Sequence, residues 1–131
     1  MKKILLASIL LGSVLLMAGN TETNQINTMQ SLEVSMSQIQ KGLLYNHKGM
    51  LKKGITSLRS ELGNIKSFVI HNDKSIQFNA HEYAQKETKA LDMIASRILQ
   101  DFEDGKKETV MIDYEQMLNR CVTCHALVRR W

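Results

Sequence analysis

Apolar residues recur along most of this chain at steps of three and four, and that spacing restricts it to helices sharing one core. Met29, Leu32, Met36, Ile39 and Leu43 form one such run, and Leu51, Ile55, Leu58, Leu62, Ile65 and Val69 form a second. Steps of three and four return side chains to one face of a helix, whereas a strand needs a step of two. A third run, Ala84, Glu87, Leu91, Ile94, Ile98 and Phe102, carries one polar residue. A fourth passes through Val110 or Met111, Tyr114, Met117, Leu118, Cys121, Cys124, His125 and Val128. The absence of proline, the low aromatic content of 5% and the wealth of Leu, Met, Gln, Glu and Lys point the same way.

Punctuation between the runs sets the topology. The first run predicts a helix from about Thr23 to Tyr45, and Gly63-Asn64 marks a place where the second helix either stops or bends and continues. His71 to Ser75 reads as turn chemistry, Asn79 followed three residues later by Glu82 as a helix start, and Asp104-Gly105 as a helix end. Four amphipathic helices of similar length, mostly with short links, predict an all-α fold, an antiparallel up-down-up-down four-helix bundle.

The amino end has a different character. Lys2 and Lys3 precede an apolar run from Ile4 to Met17, broken only by Ser8, Gly12 and Ser13, and small Ala18-Gly19 follow. This is the pattern of a cleaved export signal over residues 1–19, and the run is short for a bilayer span, which is the competing reading. No membrane span is expected after processing. Residues 20–131, about 112 of the 131, then make one small domain with one core. Without Lys2 and Lys3 the 17 basic residues become 15 against 13 acidic, and this near balance lacks the concentrated basic patch of a nucleic-acid binder. Lys48, Lys52, Lys53 and Arg129-Arg130 read as solvated faces, with docking of an acidic redox partner as the alternative.

The densest chemistry lies six residues from the end, in Cys121-Val122-Thr123-Cys124-His125. Cys-x-x-Cys-His is the attachment signature of a c-type haem, in which two thiols bond the macrocycle and the imidazole ligates iron. On a helix Cys121, Cys124 and His125 emerge from one face within little more than a turn. Zinc is a weaker reading, because a structural site takes four ligands and the chain offers only these two cysteines, leaving His47, His71 or His81 as distant partners. A thioredoxin-like pair would sit near a βαβ pattern, and a four-residue disulfide loop would stabilise little.

A helical chain of this size with its haem motif in the last helix resembles the cytochrome c-prime family of four-helix-bundle cytochromes. Members of that family typically end in Cys-x-x-Cys-His with a basic residue four positions on, and Cys121, Cys124, His125 and Arg129 match in turn. Where the family often carries an aromatic before the basic residue, Val128 stands here. The resemblance implies one covalent haem c attached outside the bacterial inner membrane, in agreement with the export signal, and a homodimer through helices one and two. It also implies a distal iron position facing early helix one, filled by an apolar residue in five-coordinate members and by methionine in six-coordinate ones. Met29 stands at the favoured depth and Met36 lies two turns later on the same stripe.

The candidate residues are therefore His125 and Met29 as iron ligands and Cys121, Cys124 and Arg129 as haem-binding residues. Arg129 either raises the potential or holds a propionate, or else simply complements the negative end of its helix. Arg120 flanks Cys121 on the other side, Tyr83 and Tyr114 are candidates for the haem edge, and the competing fate of Met29 and Met36 is core packing. The leading expectation is a periplasmic electron-transfer protein with His/Met ligation and redox proteins as partners; the alternative is a five-coordinate haem protein binding nitric oxide or carbon monoxide. No constellation of nucleophile, base and oxyanion donors is visible, so an enzyme is not expected.

Overall fold

The computed structural model describes residues 4–68, 70 and 78–129, with side chains described for 22–68, 70 and 78–128. Helix α1 spans Ile4–Leu44, α2 Lys48–Asn64, α3 Ala80–Glu103 and α4 Lys107–Arg129, and there is no strand among the described residues. The expected turn at His71 to Ser75, together with Val69, Arg130 and Trp131, lies outside them. No helix among the described residues is long and apolar enough to cross a membrane.

Local chemistry accounts for the helix ends. Asn46 takes a left-handed backbone, φ 51°, and lets the His47 N–H return to the Gly42 carbonyl at 2.8 Å, satisfying the last turn of α1. His47 then caps α2, its Nδ1 accepting from the Met50 N–H at 3.0 Å. Asn79 opens α3 as its spacing predicts, accepting from the Glu82 N–H at 3.1 Å. At Gly63-Asn64 the second helix tightens into a 3-10 turn over Ile65–Ser67. Helix α1 begins earlier than the expected Thr23: with no proline between the apolar run and the bundle segment, no backbone donor is lost and the helix continues unbroken.

Neighbouring helices pack in sequence order, α1 along α2, α2 against α3 and α3 along α4, and among the described residues α1 and α4 have no backbone seam as close as these. Ile39, Leu51, Leu58, Ile98 and Met117 are fully buried at the centre. The α1–α2 seam is unusually close because glycines face the opposing backbone. A Cβ on Gly54 would meet the Ile39 nitrogen at 2.8 Å, and one on Gly42 would meet the Leu51 nitrogen at 2.6 Å.

The fourth stripe is narrower than the sequence suggests. Val110 and Met117 are buried, whereas Met111 and Leu118 are 62% and 48% exposed. Each exposed residue is one step, about 100° around the helix, from a buried neighbour, and the seam with α3 has room for only one of the two. Asp113 takes the inward place instead, accepting from Arg97 Nε at 3.0 Å and Nη2 at 2.7 Å.

Substitutions at two glycines should act in opposite directions. Gly54→Ala forces a methyl group against backbone and should cost about 1–3 kcal/mol in urea unfolding. Gly63→Ala, whose Cβ meets nothing within 4 Å, should be neutral or gain about 0.5 kcal/mol from helix propensity. Leu91→Asp or Ile94→Asp should cost several kcal/mol, since each puts an unpaired carboxylate in the core; tolerance at both would contradict this register.

Candidate functional site

The antiparallel order puts the α1–α2 and α3–α4 turns at one end of the bundle and the α2–α3 connection at the other. At that second end, between α1 and α4, lies a cavity of about 400 Å³. Met29 and Leu32 of α1 form one wall, and Cys121, Cys124, His125 and Val128 of α4 form the facing wall. Leu58 and Leu62 of α2 and Ala84, Glu87 and Leu91 of α3 form its back, and Ile65, Phe68 and Ile70 contribute from the connection. The lining is mainly apolar, as a flat hydrophobic macrocycle requires.

Helix α4 stays regular through the motif, so both cysteines and His125 turn one half-buried face to the cavity. Across from them Met29 Sδ approaches His125 Nε2 to 3.5 Å, although 96 residues separate the two in the chain. Imidazole nitrogen and thioether sulfur are both ligands that haem iron takes, so His125 and Met29 are the residues that would hold an iron here. Two thiols, an imidazole and a thioether around one apolar space are a donor set that fits a c-type haem.

The other candidate ligands are drawn elsewhere. Met36 is half-buried against the core cluster and does not line the cavity. His47 is the α2 cap, and His81 Nε2 lies 2.8 Å from Gln85 Nε2. His71 lies outside the described residues, among which no group of three or more His, Cys, Asp or Glu side chains gathers to hold a metal ion. Arg129 belongs to α4, with its side chain outside the description. Tyr114 packs against the core cluster. Burial raises the pKa of Tyr83, and the charges of Glu87 and Cys124 raise it further.

Electrostatics separates this site from a dithiol redox centre. Burial pushes the Cys121 thiol up to about 11, with a smaller contribution from Cys124. Cys124 is also raised, by burial first and by Glu87 second. Reactive dithiols have depressed pKa values in electropositive surroundings. These thiols stay protonated at neutral pH and are held beside an apolar space.

One site residue, Glu87, is given no site role by the sequence, and its pairing with Arg120 is not foreseen there. Glu87 is buried and lines the cavity, and its partner is Arg120, whose Nη1 donates to Glu87 Oε2 at 2.8 Å. A carboxylate on an otherwise apolar stripe is the one sequence signal for this pair. Nothing in the spacing names a partner 33 residues away. Comparison with protein-family models, with curated proteins and with solved structures finds no match to this chain.

The raised thiols give a direct check. In chain made without haem, iodoacetamide at pH 8 should modify both cysteines far more slowly than free cysteine, with Cys121 the slower. Its reactivity should rise only as pH approaches about 11, and urea should abolish the protection. Because the native state holds the proton more tightly, the associated stability is present below pH 9 and is lost as pH rises toward about 11.

Proposed function

We propose that this chain is an exported c-type cytochrome of the cytochrome c-prime kind, carrying one covalent haem and transferring electrons in the periplasm. The observation that carries this reading is the convergence of Met29 on His125 beside both cysteine thiols in one apolar cavity. Cys121 and Cys124 hold the macrocycle, His125 ligates iron from α4 and Met29 ligates it from α1. Bound there, haem supplies an iron that exchanges one electron between the ferric and ferrous states. The chain's own part is an apolar wall: Leu58, Leu62 and Leu91 limit water beside the group, and both ligands belong to helices that pack on the core.

Thioether ligation favours ferrous iron and occupies the position a substrate would need, which suits a carrier whose partners are redox proteins. A five-coordinate site for nitric oxide or carbon monoxide requires the α1 wall to stand clear of the iron. Met29 instead stands in contact with the proximal histidine.

Produced in a host that attaches haem to cytochromes c, the protein should stay coloured through denaturing electrophoresis, and Cys121→Ser or Cys124→Ser should make attachment incomplete. Its ferric form should be low-spin with the weak far-red charge-transfer band of iron–thioether ligation. Met29→Ala should abolish that band, lower the potential and admit carbon monoxide, while Met36→Ala should leave it in place. Haem fully extracted from the wild type by acid acetone would refute covalent attachment, and a high-spin wild type that binds carbon monoxide at once would replace the carrier with the gas-binding reading.

A further inference from the structure

One ion pair across the α3–α4 seam stands at this mainly apolar cavity, its acid, Glu87, in the lining and its base, Arg120, outside it. Glu87 of α3 is 6% exposed and lines the same space as Cys121, Cys124 and His125. Arg120, next in sequence to Cys121, reaches across the α3–α4 seam to it at 2.8 Å. The Nε of Arg120 is buried with no hydrogen-bond partner.

Stability alone does not explain such a pair. Taking the Glu87 carboxylate out of water costs several kcal/mol, which a partner such as Arg120, its side chain 33% exposed, only partly offsets, and well-packed apolar residues of similar volume commonly do as well or better. A buried donor left without an acceptor adds a further penalty. What the position does offer is charge next to a cofactor site, where low dielectric and distance from salt leave it weakly screened. A carboxylate beside an iron centre favours the ferric state, and a guanidinium favours the ferrous state.

We infer that Glu87 and Arg120 are opposed charges that set the reduction potential of the cofactor held beside them, Glu87 lowering it and Arg120 raising it. This rests on the haem reading given above. The chain also carries its own comparison: Asp113 and Arg97 form a second buried-acid pair across the same seam, but neither lines the cavity. Asp113 lies on the order of 12 Å before Cys121 along α4.

The test is a spectroscopic redox titration of the haem-loaded protein and its variants. At fixed applied potential Glu87→Gln should move the ferrous-to-ferric ratio about tenfold toward ferrous, which is about 59 mV for a one-electron couple. Arg120→Gln should move it toward ferric by a similar factor, and the double variant should return close to wild type. Glu87→Asp, which keeps the charge, should stay near wild type, as should Asp113→Asn. All comparisons require an unchanged ligation spectrum. If Arg120→Gln does not fold, Glu87→Gln against Glu87→Asp decides alone. Shifts of one sign in both single variants, or a shift in Asp113→Asn as large as in Glu87→Gln, would overturn the inference, because general loosening of the bundle has that effect. Wild-type protein without covalent haem overturns the reading of the site itself; haem-loaded wild type whose potential Glu87→Gln leaves unmoved overturns only the charge pair.

Discussion

The contact between Met29 on α1 and His125 on α4 is the interaction on which the site depends. Three consecutive seams close the rest of the bundle, and Gly42 and Gly54 pull α1 tightly onto α2 by removing the side chains that would hold the backbones apart. With α1 packed along α2 and α4 along α3, the two outer helices face each other across the cavity at the end that carries the chain's only Cys-x-x-Cys-His string. The space left is bounded by side chains from every helix. That space, about 400 Å³, is where Met29 and the residues of the Cys-x-x-Cys-His string meet.

Chemistry follows from that opening. The same burial that makes the cavity apolar raises both cysteine thiols, the opposite direction from the depressed values of reactive dithiols. Burial also makes charge expensive, so each buried acid on the α3–α4 seam has an arginine: Asp113, away from the cavity, meets Arg97, and Glu87, on its wall, meets Arg120. The proposed haem function and the proposed tuning of its potential thus share one cause, a low-dielectric pocket at the open end of the bundle.

Much of this was legible in the sequence. The three-four spacing is a local property, and it named the four helices and most of the core, including Ile39, Leu51, Leu58, Leu91, Ile94 and Ile98. Asn79 announced its own cap, because an N-cap bond spans only three residues. Cys121, Cys124 and His125 share a face for the same reason. Local rules were weaker where two adjacent apolar residues compete for one seam. Leu118 beside Met117 and Met111 beside Val110 were resolved only by the rotation of α4 against α3.

Met29 and Met36 show where sequence stops and tertiary structure begins. Seven residues apart on one stripe, they are equivalent to any rule of periodicity, and both are methionines able to pack in a core or bind a metal. What differs is their height along the bundle relative to His125, and that height passes through three interhelical registers before it reaches α4. The pairing of Glu87 with Arg120 is set in the same way. The sequence by itself determined which residues form helices and which face each helix presents, because those depend on neighbours three or four residues away. Only the tertiary structure decided that Met29 meets His125 while Met36 stays in the core, because that contact joins residues 96 apart and depends on how all four helices are stacked.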